Sequence, residues 1–183
     1  MNPAPNLFLT GPMGAGKTSI GRRLAAQLGL EFVDLDQAFE ERTGASIALT
    51  FEIEGEAGFR RRESALLAEL VEKSGMVMST GGGAVLDARN RELLRSRGFV
   101  VWLDADVDTQ LRRLHADRQR PLLSVGDRRL QLTRLAEIRN PLYAQIADLR
   151  IAASGSASSA VMVRQVEARL SDVWQRTRDG VGA

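Results

Sequence analysis

The chain has 183 residues, 44% of them hydrophobic, enough for one packed core, so a single domain spanning 1–183 is expected. A formal net charge of +2, from 25 basic and 23 acidic side chains, provides no general field for nucleic acid or an anionic membrane, so anionic ligands must be sought locally. The absence of cysteine excludes disulfides, a thiol nucleophile and cysteine-based metal sites, and suits a cytoplasmic protein.

The N-terminal MNPAPNLFLTGP lacks both a charged leader and a long apolar stretch, and an unprocessed soluble protein is expected. Leu7 to Thr10 reads as a buried strand. The next residues, GPMGAGKT, match G-x-x-x-x-G-K-[ST] through Gly11, Gly16, Lys17 and Thr18. Glycines let successive backbone N–H groups turn toward phosphate oxygens, and the following helix contributes the positive end of its dipole. Lys17 can reach terminal phosphates, and the Thr18 hydroxyl can meet magnesium. Chance would supply roughly 0.002 such matches in this chain, so a capped glycine turn is a poor rival. Only Lys17 and Lys73 are lysines, which makes one inside the motif harder to obtain by accident.

Ile20, Leu24 and Leu28 recur at helical spacing, with Gly29 placed as a C-terminal cap. Neither lysine lies in an N-K-x-D guanine-reading motif, which disfavours a GTP switch. Ser19 stands where a dinucleotide fingerprint after Gly14 and Gly16 requires a third glycine.

Phe32 to Asp34 reads as the second strand, within FVDLD, and puts Asp34 and Asp36 on one side of an extended chain. Such carboxylates suit magnesium binding or proton acceptance, and helix capping by Asp36 is the alternative. Gln37 to Lys73 is too long for a plain crossover and suggests an inserted helical subdomain of about 37–73. It carries FRRRE, with Arg60 to Arg62 either functional or solvated, and Arg61 and Arg62 free to pair with Glu63. The third strand, Met76 to Ser79, leads to Gly81, Gly82 and Gly83, which fit close approach of a ligand or a flexible bend.

Asp87 to Arg97 reads as a helix and Phe99 to Leu103 as a strand. The latter belongs to FVVWLDAD, whose Asp104 competes with Asp34 for magnesium but suits a cap or turn better. After a helix over Asp106 to His115, the segment HADRQRPLLSVGD fits a flap of about 115–127 or an ordinary surface loop. A helix over Arg128 to Arg139, the run RNPLY, a strand over Leu149 to Ala152 and a helix over Ala157 to Arg176 follow. The alternation predicts an α/β fold with a parallel sheet covered on both faces and ligands at the strand carboxyl ends. Trp102 and Trp174 read as packing residues, and His115 lacks an apparent partner.

In order, GPMGAGKTSIGRRLA, FVDLD, FRRRE, STGGGAV, RPLL and RNPLY resemble the shikimate kinase family from about Asn6 to Arg176. The resemblance implies a three-layer P-loop fold with a five-stranded parallel sheet in order 2-3-1-4-5, a substrate-binding helical insertion and a lid. It implies a monomer that uses ATP with Mg2+ to phosphorylate shikimate in aromatic amino acid biosynthesis. ATP would meet Gly14, Ala15, Gly16, Lys17, Thr18, Ser19, Arg113, Arg120 and Ser154. Catalysis would fall to Asp36, Lys17 and Arg120; shikimate to Asp36, Arg60, Gly81, Gly82, Gly83 and Arg139; and the metal to Thr18 and Asp34. An anionic polyol is well matched by arginines for its carboxylate and an aspartate for its hydroxyls.

Overall fold

A computed structural model describes residues 4–114, 127–153 and 159–174. Its sheet comprises β1 (Asn6–Thr10), β2 (Glu31–Asp34), β3 (Met76–Ser79), β4 (Gly98–Asp104) and β5 (Leu149–Ala152). All pairings are parallel, in the order β2-β3-β1-β4-β5. Successive residues supply opposite faces, as the two-residue repeat of a strand requires. Leu7, Leu9, Val101 and Leu103 enter one core cluster, while Phe8, Val100 and Trp102 enter the other. This double burial explains why these strands read as continuous apolar runs. Burying Phe8 completely contributes roughly 1.5–3 kcal/mol.

The helices are α1 (Lys17–Leu28), α2 (Leu35–Thr43), α3 (Ile47–Leu70), α4 (Ala88–Arg97), α5 (Val107–Arg113), α6 (Arg128–Ile146) and α7 (Ser159–Val173). As the spacing predicts, α1 ends at Gly29, which has φ 63° and ψ 40° and whose N–H bonds to the Ala25 carbonyl. Asp87, Asp106 and Asp127 cap the starts of α4, α5 and α6 through their side chains. Each cap contributes about 1 kcal/mol. Among the described residues no helix is long and apolar enough to cross a membrane.

The long insertion consists mainly of α2 and α3, joined through aromatic packing of Phe39 and Phe51 on Phe59 at 4.9 and 4.8 Å. Gly55, at φ 70° and ψ 177°, breaks α3 and separates its outer turns from the part carrying Arg60 and Glu63. Helix α6 runs through Pro141 to Ile146, past its expected end at Arg139. Arg139, Tyr143 and Ile146 are all buried from this one helix, so tertiary packing carries it across the hydrogen bond that proline removes. The segments that follow β1, β2 and β3 line one cleft together with residues of α2, α3 and α6.

Candidate functional site

The loop from Gly11 to Gly16 joins β1 directly to α1. Gly16 caps α1 at φ 94° without a side-chain bond, leaving the first helical N–H groups open to an anion. Gly11 adopts φ 134°, and a Cβ there would overlap the Leu103 carbonyl, so this position needs glycine for both conformation and space. Lys17 is folded over its own loop, donating to the carbonyls of Gly11 at 2.8 Å and Pro12 at 2.9 Å. The exposed Ser19 donates to the Gly16 carbonyl at 3.1 Å, while Ala15 is fully buried. Arg113, from the end of α5, donates to the carbonyls of Gly14 at 3.0 Å and Ala15 at 3.2 Å. That guanidinium touches the loop backbone directly, a contact between residues 99 apart that no local pattern displays.

Thr18 Oγ1 donates to Asp34 Oδ2 at 2.7 Å, joining the phosphate loop to the end of β2. The other oxygen of Asp34 accepts from the N–H groups of Asp36 at 3.0 Å and Gln37 at 3.3 Å. Asp34, rather than Asp36, is therefore the cap of α2, which leaves Asp36 half-buried in the first turn and facing the cleft. Thr18 and Asp34 present a hydroxyl and a carboxylate, both hard oxygen donors suited to magnesium. No group of three His, Cys, Asp or Glu side chains suited to a metal occurs among the described residues. A cation here would complete its coordination with phosphate oxygens and water.

The opposite wall is built from distant segments. A cleft of about 1110 Å³ is lined by Gly14, Lys17 and Thr18 on one side and by Asp36, Arg60, Glu63, Gly81 to Gly83 and Arg139 on the other. None of the three consecutive glycines has positive φ, so their purpose is room. A Cβ on Gly81 would lie 2.6 Å from Glu63 Oε1 and 2.9 Å from Asp36 Oδ1, and one on Gly83 would overlap the Arg60 guanidinium. The absent side chains admit the protein's own carboxylates and arginine. The sequence suggested space for a ligand or a bend, and the structure shows space for the groups that line the cleft.

Glu63 was not among the expected site residues. It is 1% exposed, and its Oε2 accepts from Arg60 Nη1 at 2.6 Å. The expected pairing with Arg61 or Arg62 gives way to this bond, because a three-residue step on α3 places Arg60 and Glu63 together; Arg62 instead pairs with Glu54 at 2.8 Å. Burial pushes the Glu63 carboxyl above the usual range, with Arg60 opposing and Asp36 assisting the shift. Its Oε1 has no hydrogen-bond partner, and neither does Arg139 Nε. Burial likewise lowers the pKa of Arg139, a 4% exposed cation beside the cleft. An enclosed cation and an unmatched carboxylate oxygen form a corner whose polarity is incompletely satisfied. The Arg60–Glu63 spacing was the one sequence signal for Glu63.

Asp104 caps no helix; its carboxylate is ion-paired with Arg150 at 2.5 Å. The Arg150 guanidinium lies 4.6 Å from the Trp102 ring centroid. Trp102 is buried in the core and Trp174 donates its indole N–H to the Ala4 carbonyl at 3.1 Å, both as packing residues. Arg120, Ser154, His115 and the flap segment up to residue 126 lie outside the described residues.

Residues 13–169 match the family model described as shikimate kinase. The chain is 53% identical over 175 residues to shikimate kinase from Xanthomonas axonopodis pv. citri (strain 306), covering 96% of this chain and 97% of that relative. It is 52% identical over 165 residues to shikimate kinase from Shewanella sp. (strain MR-4), covering 90% and 96% respectively. Its fold matches that of shikimate kinase from Acinetobacter baumannii in complex with shikimate at a TM-score of 0.87 and 45% identity, covering 92% of this chain and 94% of that one. The phosphate loop, the parallel order of the sheet and this likeness along nearly the whole chain lead to one conclusion: the protein belongs to the shikimate kinase family and is an ATP-dependent phosphotransferase.

Proposed function

We propose that the residues across the cleft phosphorylate the 3-hydroxyl of shikimate, giving shikimate 3-phosphate and ADP, as a step of aromatic amino acid biosynthesis. The observation that carries the acceptor assignment is the corner in which Arg60 and buried Arg139 stand at the Gly81–Gly83 turn, with Asp36 beside Gly81. Two guanidiniums grip the substrate carboxylate by charge-assisted bonds, and their planar forks orient the ring. Asp36 receives the ring hydroxyls and accepts the proton of the one that attacks, while Gly81 to Gly83 admit the ring edge.

On the nucleotide side, the N–H groups from Gly14 to Ser19 bind the phosphates of ATP. Lys17 leaves its loop carbonyls for the phosphate oxygens and neutralises charge as the phosphoryl group moves. Thr18 and Asp34 would hold Mg2+, which draws charge from the phosphates when bound. Positioning and electrostatics supply most of the rate, since phosphoryl transfer asks little covalent chemistry of a protein. The protein acts on small molecules as a cytoplasmic monomer.

ADP release from MgATP, measured in parallel with shikimate, gluconate and AMP, tests the acceptor. Turnover with shikimate alone is expected, and turnover with another acceptor or with none sinks the reading. Asp36→Asn should lower kcat by about 10²–10⁴, because it removes the base and disturbs hydroxyl placement. Near-normal turnover in that variant would remove Asp36 from the mechanism.

A further inference from the structure

Tyr143 heads the fully buried side chains by size and is the only tyrosine in the chain. Its hydroxyl donates to the Gly82 carbonyl at 2.5 Å, across 61 residues of sequence. Arg139, which is also buried, stands one turn earlier on α6. Gly82 itself lies between Arg139 and the phosphate loop. A Cβ there would lie 3.5 Å from both Arg139 Nη1 and the Gly11 carbonyl oxygen, and 3.6 Å from the Met13 nitrogen.

A phenol has one donor hydrogen, and here it is committed to the Gly82 carbonyl. That bond is directional, and it fixes the separation between the glycine turn and the helix that carries the arginine. Through Gly82 the same separation is referred to the phosphate loop. We propose that Tyr143 is a positioning residue for phosphoryl transfer: its hydroxyl ties the Gly81–Gly83 turn to α6, which carries Arg139, and so sets the acceptor's place relative to the phosphate loop. This rests on the reading that the turn and Arg139 hold shikimate. A hydroxyl retained only to satisfy buried polar groups would affect stability and leave substrate constants unchanged.

Tyr143→Phe deletes the oxygen and keeps the ring packed on Trp102, whose centroid is 5.9 Å away. Loss of one buried partner should raise KM for shikimate about tenfold and leave KM for ATP unchanged. Trp102→Phe, which loosens the same ring cluster without touching the bond, should lower Tm and leave KM for shikimate alone. Equal KM values for shikimate in Tyr143→Phe and the wild type overturn the proposal. Should Tyr143→Phe fail to fold, replacement of tyrosine by 3-fluorotyrosine labels this one position in the otherwise intact protein. Its fluorine resonance should move when shikimate is added, and no movement at saturating shikimate overturns the proposal equally. A wild-type protein that ignores shikimate sinks the acceptor reading instead. Hydrogen exchange at Gly81 to Ala84 then judges the tie alone: it should be faster in Tyr143→Phe than in Trp102→Phe, and equal rates defeat it.

Discussion

The phosphate loop draws its chemistry from one stretch of backbone, whereas the acceptor corner is assembled from side chains on α2, α3, α6 and the turn after β3. In the loop, the glycines at positive φ and the uncapped start of α1 present N–H groups that any phosphate can use. The acceptor corner depends on two carboxylates and two guanidiniums held close together, some of their polar atoms buried and unmatched. Backbone cradles tolerate variation in side chains; a side-chain cage does not. Damage to the loop should therefore appear in turnover, and damage to the arginines and glycines of the corner first in acceptor binding, whereas Asp36, which also accepts the proton, belongs with turnover.

Lys17→Met makes the sharpest division. The change removes the one loop cation while sparing the backbone, and kcat should fall by about 10²–10³, the scale of losing a transition-state charge partner. KM for shikimate should change little. A coupled assay of ADP release measures both, and an equal loss in acceptor affinity would show that the halves are not separable in this way.

Gly83→Ala probes the other half with a smaller effect. The added methyl would occupy the space of the Arg60 guanidinium, which is held by Glu63 at 2.6 Å and Glu56 at 3.3 Å and so cannot swing away freely. Overpacking on the scale of 1–3 kcal/mol corresponds to a rise in KM for shikimate of about tenfold or more, with KM for ATP unchanged. An unaltered KM for shikimate would mean that Arg60 relocates without consequence.

The same contrast explains what the sequence disclosed. Loop, strands and caps repeat local rules within a few residues, and so Gly16, Lys17, Gly29 and the buried strand β1 were legible. The limits of α6 were not, because the packing of Tyr143 and Ile146 overrides Pro141. Asp34 and Asp36 were visible as a pair, but their division of labour needed the hydrogen bonds that make Asp34 the cap. FRRRE showed three arginines and hid which one meets Glu63, since that depends on the face α3 turns inward after the break at Gly55. Arg113 on the loop carbonyls and Tyr143 on Gly82 join residues 99 and 61 positions apart, and neither leaves a local trace.

Glu63 makes the contrast measurable without turnover. Its folded-state pKa is raised above the ordinary carboxylate range, chiefly by burial, so the fold favours the neutral carboxyl. The resulting stability is complete below the unfolded value and is lost as pH rises through the folded one. Glu63→Gln keeps the shape and an oxygen for Arg60 but cannot ionise, so it escapes that loss. The wild-type Tm should therefore fall relative to the variant as pH climbs from 4.5, each kcal/mol amounting to about 2–4 °C in a chain of this size. Parallel Tm curves from there to about pH 8 would show that Arg60 fully offsets the burial of its partner. A widening gap would locate the cost in the acceptor corner, where a buried carboxylate with one unmatched oxygen is retained beside Asp36 although a neutral residue would be more stable.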